Sequence, residues 1–499
     1  MLKGRFKKAS LPLNYISLMF VKMIQVFSRE EESKIGKLGT IFIKIFKIMR
    51  RLDMANTTDI TKSSKRESLR PVPNEHRLFG LTTYIMLWIS SMVVIQIFMI
   101  GQSYLPPAGQ LNLFQAGVVT GIAALITGLL FVINSKPGIV YGIPFIVQAR
   151  SSFGFNGARI ASLIRVLPAV FWYGIGSWIG ASAMDFITQT IWGWGNIWLY
   201  FILFQIVQTY IAYFGINSIK WFDAILSVVV LGFLIYITIQ LINVGGLKIA
   251  DSWNTSGTWG MPFYAAITAS VGVLITAVIN NGDLSRYLEN KPGYNWIGHL
   301  VGVVPMYVCM LVIGILSAAA TGIWDPVQAL VSVIPNAGVA VAMMVFIVVA
   351  QFTSNLTINI KPPALVLMET FNFTWGASVI IVGFLSIVTF PWLLISSSAF
   401  NTFIAFYSAF LGPLLGILLA DFYFVHKQKL EVEALYENTI KYNWLGLGSL
   451  VIGGVFGVIF LPISWMVGLP ISLVLYWAGY KFLPYYKAQK AIKGVDVPY

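Results

Sequence analysis

Residues 111 to 134 read LNLFQAGVVTGIAALITGLLFVIN, a run of twenty-four without one charged side chain. A helix needs about 20 mostly apolar residues to cross the hydrocarbon core of a bilayer, and it satisfies every backbone N–H and C=O within itself. Comparable runs recur along the chain, at 79–102, 111–134, 164–190, 197–214, 221–243, 259–281, 297–321, 336–360, 376–396, 399–422, 443–463 and 465–482. The sequence therefore predicts an all-α integral membrane protein of about twelve transmembrane helices. Composition agrees: 57% of the 499 residues are apolar and 10% are charged, against roughly 25% charged in soluble domains, and the mean hydropathy is +0.78.

The formal charge of +14 does not point to nucleic acid, because 17 of the 33 Lys and Arg precede residue 78. Such an asymmetry reads as a cytoplasmic tail drawn to anionic lipid, over residues 1–77. Met54 opens a polar segment, MANTTDITKSSKRESLRPVPNEHR, and offers a second start that would make residues 1–53 an artefact. The rival reading of those residues is an amphipathic surface anchor. No apolar core with a cleavage site marks a signal peptide.

With the first span entered from inside, the basic residues of the loops after even-numbered spans fall on the cytoplasmic side, and of all Lys and Arg beyond Arg77 only Lys248 falls outside. This threading puts both termini in the cytoplasm of a cell whose plasma membrane holds the protein. It divides the chain into a tail (1–77), a transport core of spans 1–10 (78–425), a loop (426–442), spans 11–12 (443–482) and a C-terminal tail (483–499). The single cysteine, Cys309, lies in an apolar run and leaves neither a disulfide nor a Cys-based metal site.

Irregular backbone at membrane depth survives only where protein buries it or it lines a cavity. Span 6 carries Gly272 at its middle, and span 1 carries Ser90 and Ser91 with Gln96 further on. Interruptions in the first span of each half are what a five-plus-five inverted-repeat transporter shows. In span 8, VAQFTSNLTINIKPP places Ala350, Thr353 and Ser354 on one helical face. Two neutral hydroxyls there suit a hard monovalent cation; they suit close helix packing equally. Asn355 and Asn359 form a second i, i+4 pair, fit for a ligand or for an interhelical bond. Lys361 reads as a side chain snorkelling at the end of span 8. In span 3, Trp172 and Gly176 share a face, giving a stacking platform beside a close approach, or ordinary packing. Asp185, Asp283 and Asp421 sit near span ends, where solvation or ion pairing is the default. His76, His299 and His426 form no metal-ligand spacing, and no P-loop or nucleophile elbow is present, so no enzyme is expected.

Four segments, QARSSFG ending at Gly154, FWYGIGSWIGA in span 3, NNGDLSRY after span 6 and QFTSNLTIN in span 8, together resemble the nucleobase-cation symporter family 1. The resemblance runs from about Pro71 to Lys429. It implies the LeuT-type fold, with spans 1–5 and 6–10 as inverted repeats and two further C-terminal helices. It also implies sodium- or proton-driven uptake of nucleobases, hydantoins, allantoin or related compounds. The family's sodium site falls on Ala350, Thr353 and Ser354, with backbone carbonyls near Ser90 and Val93. Its stacking Trp matches Trp172 and its span 8 amide matches Asn359.

Departures accompany the resemblance. Where hydantoin-transporting members have a Gln one turn after the span 3 Trp, this chain has Gly176; their second stacking Trp in span 6 is Leu274, and the span 1 amide position is Val94. The expected substrate site is therefore Trp172, Gly176, Gly272, Leu274, Asn355, Asn359 and Val94. The expected function is cation-coupled symport of a small planar nitrogen heterocycle by a monomer, with Na⁺ or H⁺ as coupling ion and no other cofactor. A same-fold transporter of amino acids or other nonaromatic solutes, a channel and a membrane-embedded enzyme remain as alternatives.

Overall fold

A computed structural model of the chain describes residues 69–214, 220–437 and 440–483. Residues 1–68 of the expected basic tail, the choice of start at Met54 and the tail beyond residue 483 lie outside the described residues. What is described is helical. The strand-like pairing among the described residues is one isolated parallel bridge, Phe79 with Leu288, where Phe79 N–H donates to Tyr287 O at 2.9 Å and Glu289 N–H to Phe79 O at 3.0 Å.

Each expected span meets a helix. Among the described residues, eight helices are long and apolar enough to cross a membrane, a bent pair supplies a ninth, and three shorter apolar helices, Ile197–Tyr213, Trp375–Ile387 and Trp444–Ile459, bring the number to twelve. The chain is a multi-pass membrane protein. Leu125, Ile206, Leu247, Val451 and Ile459 stand exposed on the outside of the bundle, where lipid rather than water is their solvent. Trp192, Trp194, Trp198, Trp253 and Trp259 are exposed together at one end of spans 3 to 6, the level at which indoles settle at a membrane interface.

Span 1 is broken without a Gly or Pro. Leu81–Met92 and Ile95–Gln102 meet at 54°, across Val93 at φ −82°, ψ 77° and an extended Val94 at φ −129°, ψ 136°. The Ser90 and Ser91 hydroxyls both donate to Leu87 O, at 3.0 and 2.6 Å, and the β-branched pair that follows is stiff at χ1. Local competition for the last carbonyls and two poor helix formers stop the helix there.

Span 6 departs from expectation. It runs unbroken through Gly272 from Met261 to Ile279 and turns only at Asn280. Gly272 serves close approach instead: a Cβ there would lie 2.6 Å from Ser408 Oγ and 2.7 Å from Ile404 Cγ2, and Tyr407 OH donates to Gly272 O at 2.9 Å. At the true break, Asn134 Nδ2 donates to Val278 O (2.7 Å) and Ile279 O (3.2 Å), satisfying carbonyls the helix end leaves without a partner.

Span 8 is also longer than expected. Ala337–Ser354 passes through a π-helical turn, Asn355–Ile360, into Lys361–Phe371. Pro362 and Pro363 occupy the first turn of the last segment, where a missing N–H is tolerated, and the widened turn before them absorbs the mismatch. Lys361 thus sits inside the helix, its Nζ 5.6 Å from the Tyr287 ring centre, rather than at a helix end. Span 9 is shorter than its expected 376–396, closing at Ile387 before Phe390 enters the left-handed region at φ 51°.

Candidate functional site

The break in span 1 lies beside the hydroxyl-bearing turn of span 8. From the first turn after the break, Gln96 Nε2 donates to Gln351 Oε1 at 3.1 Å, and both side chains are buried. Gly176 of span 3 leaves the room this requires. A Cβ at Gly176 would lie 2.7 Å from Asn355 Oδ1 and 3.0 Å from Gln351 Oε1.

Asn355 is a brace. Its Nδ2 donates to Tyr173 O (3.2 Å), Ser177 Oγ (3.3 Å) and Gln208 Oε1 (3.3 Å), and its Oδ1 accepts from Asn359 Nδ2 at 2.8 Å. It ties spans 3, 4 and 8 together, which is the interhelical role the sequence left open. Beside Gly176, Gln96 and Gln351 have capacity to spare, since Gln96 Oε1 and Gln351 Nε2 are buried without a hydrogen-bond partner. The sequence reading assigned neither. A signal for Gln351 was available in the spacing: with Asn355 and Asn359 it forms an amide stripe at i, i+4 and i+8.

Thr353 and Ser354 follow on the same turn. Thr353 Oγ1 donates to Ala350 O at 3.2 Å and Ser354 Oγ to Gln351 O at 3.3 Å. Both bonds are long for a hydroxyl donor, and both leave the oxygen lone pairs for another partner. The first half of span 1 packs against this helix. At its end Val93 N–H reaches Ser90 O at 3.4 Å, a weaker hold than the 3.0 Å bond from Val94 N–H to Met92 O. Of the expected cation-site residues, Ser90 and Val93 lie at the end of the first half of span 1, and Ala350, Thr353 and Ser354 lie on the helix it packs against.

Trp172 is buried among rings that the sequence did not assign. Phe400, Phe403 and Tyr407 of span 10 meet it at 5.7, 5.6 and 6.2 Å between centroids, with interplanar angles of 80°, 65° and 78°. Tyr407, through its bond to Gly272 O, joins Trp172 to span 6. Leu274 is buried about half a turn beyond Gly272, and Val94 is half-buried in the extended link; neither brings a polar group. The structure thus gathers Gly176, Asn355 and Asn359 with Gln96 and Gln351, and places Trp172, one turn before Gly176 on span 3, in a ring cluster that reaches Gly272 through Tyr407.

On the other side of the span 1 break, a cavity of about 20 Å³, room for about one water, is lined by Trp88, Asn280, Asp283, Thr357 and Lys361 among others. Asp283 is buried rather than solvated and accepts from Phe145 N at 2.9 Å. Asp421 is buried too, accepting from Tyr476 OH at 2.7 Å and facing His426 Nδ1 at 3.3 Å. Asp185, nearer the surface, accepts from Gln189 Nε2 at 2.7 Å. Further along the same side, Arg150 pairs with Glu369 at 2.9 Å, both largely buried, and Arg159 approaches Glu369 at 3.4 Å. Burial pulls the Arg150 guanidinium below its ordinary range, and Glu369 pushes it back up.

Residues 71–478 match the family described as permease for cytosine/purines, uracil, thiamine, allantoin. Among curated relatives, a hydantoin permease of Microbacterium maritypicum is 27% identical over 449 residues, 84% of this chain and 90% of that one. An allantoin permease of Bacillus subtilis (strain 168) is 27% identical over 457 residues, 82% and 92% of the two chains. A nucleobase-cation-symport-1 family transporter, solved in a closed conformation with bromovinylhydantoin bound, superposes with a TM-score of 0.73 at 24% identity, over 85% of this chain and 98% of its own. That likeness shows the fold, the all-α LeuT-type arrangement with further C-terminal helices.

Proposed function

The chain belongs to the family of permeases for cytosine/purines, uracil, thiamine and allantoin, and from that premise we propose that it imports a small planar nitrogen heterocycle by Na⁺-coupled symport across the plasma membrane. The observation that carries this reading is the hydrogen bond from Gln96 to Gln351, which ties the break of span 1 to the turn of span 8 bearing Thr353 and Ser354. A cation bridging the span 1 carbonyls and the span 8 hydroxyls would stiffen the same junction that a solute meets. That is how two ligands come to share one free energy. Trp172 supplies an apolar wall with π character, the kind of surface a flat ring stacks on, and the buried amides supply orientation. In this reading the protein works as a monomer with both termini in the cytoplasm.

Coupling between cation and solute is reciprocal, so the test is substrate affinity measured across a sodium titration. Thr353→Ala and Ser354→Ala each delete one oxygen. Each is expected to weaken sodium binding and to shrink the rise in substrate affinity that sodium produces, while binding without sodium changes little. Equal sodium responses in wild type and variants would return both hydroxyls to helix packing. A wild type indifferent to sodium but driven by a pH gradient would replace Na⁺ by H⁺. A thermal-shift panel of nucleobases, hydantoin and allantoin against amino acids tests the solute class; stabilisation by amino acids alone would overturn the heterocycle.

A further inference from the structure

Resting on that reading, we propose that Gln96 and Gln351 form a specificity-determining pair that reads the edge of the heterocycle where a ring N–H stands beside a ring C=O. A primary amide carries one carbonyl oxygen and two N–H donors. The bond between the two glutamines leaves Gln96 Oε1 as a free acceptor and Gln351 Nε2 as a free donor, both buried without a partner. The two residues are 5% and 0% exposed, and an unmet buried amide atom is costly enough that most such groups find a partner. Here the unmet groups come as one acceptor and one donor on a linked pair. Turning both amides over gives the same complement, because each then exchanges the role the other had.

The surroundings select these two residues. Asn355 is committed to Tyr173, Ser177 and Gln208, and half-buried Asn359 donates to Asn355. Gly176 has no side chain to interpose, and Gln351 Oε1 comes to 3.0 Å from where its Cβ would be. Trp172 lies one turn away on the same face of span 3, about 6 Å along the axis at 1.5 Å per residue, a separation comparable to the width of a single ring. A ring lying on Trp172 therefore carries its edge to the level of the amides. The partner chemistry is a lactam or ureide edge; full N-methylation removes its donor, and a nonaromatic amino acid offers neither edge nor ring.

The experiment is equilibrium binding to the purified full-length protein of uracil, hydantoin and hypoxanthine, each compared with its ring N-methylated derivatives. Wild type is expected to prefer the N–H forms by about tenfold or more. In Gln96→Met and Gln351→Met the preference should collapse towards one, whereas Trp172→Ala should weaken N–H and N-methyl forms alike. The double variant Gln96→Met/Gln351→Met orphans no amide, so it provides the same readout if either single variant fails to fold. If folded variants keep the wild-type preference while Trp172→Ala still weakens binding, the pair does not read the edge and this proposal falls alone. If wild type binds none of these rings, the proposal falls together with the heterocycle reading.

Discussion

Gly176→Ala is the smallest change that tests the arrangement of the site. The added Cβ would lie 2.7 Å from Asn355 Oδ1 and 3.0 Å from both Asn355 Nδ2 and Gln351 Oε1, against 3.4 Å for ordinary contact. Relief requires Asn355 to move by about 0.7 Å, the shortfall from ordinary contact. It is held by four bonds of 2.8 to 3.3 Å and cannot move freely. Overpacking costs about 1–3 kcal/mol, and each weakened hydrogen bond adds about 1 kcal/mol. The better helix propensity of Ala returns about 0.5–1 kcal/mol. The clash wins, with a net destabilisation of about 1–3 kcal/mol. Gly117→Ala is the control, since its Cβ meets nothing within 4 Å and propensity acts alone. Cys309, the single thiol of the chain and only partly exposed, reports unfolding through a thiol-reactive dye. Gly176→Ala should unfold at a clearly lower temperature than Gly117→Ala and bind heterocycle more weakly, because Gln351 shifts with Asn355. If the two alanine variants melted together, the close approach of span 8 to Gly176 would be refuted.

Three further outcomes are expected. Glu369→Gln leaves Arg150 buried without its counterion and should destabilise by about 3–5 kcal/mol, much of it recovered when Arg150 is also replaced by Met; thermal unfolding of the single and double variants checks this. Trp172→Ala should weaken heterocycle binding by about 1–3 kcal/mol, and Leu274→Trp should strengthen it by adding a second aromatic wall, both read from binding isotherms. In a Cys309→Ser background, Lys427→Cys should react with an impermeant thiol reagent only from the cytoplasmic face; labelling from outside would reverse the threading.

The spans were legible because crossing a bilayer is a one-dimensional demand on length and apolarity, and twelve runs meet it. Their interruptions were less so. Gly272 marks either a break or a close approach, and only the neighbour decides. Ser408 and Ile404 pressing on it make it the second. The sequence KPP after Asn359 reads as a stop until the π-helical turn at Asn355–Ile360 lets the helix pass through both prolines. Conversely, the break in span 1 carries no Gly or Pro. It follows from two serines bonded back to Leu87 O and two valines after them, each a weak local signal whose sum becomes visible only in the chain path.

The site shows the same limit more sharply. Spacing alone put Thr353 and Ser354 on the Ala350 face, because that is a matter of residues per turn. It could not tell which amide of the stripe Gln351, Asn355, Asn359 is free, because the answer depends on Tyr173, Ser177 and Gln208, brought in from spans 3 and 4, and on Gln96 from span 1. Read one position at a time, Gly176 and Val94 are two lost amides and a substrate site that has decayed. Read as volumes, the missing side chain at Gly176 is the space that the amides of Asn355 and Gln351 fill, and Gln96, two residues past Val94, is the group Gln351 meets. A glycine in one helix can thus make room for amides carried by another, which a reading by single positions counts only as a loss.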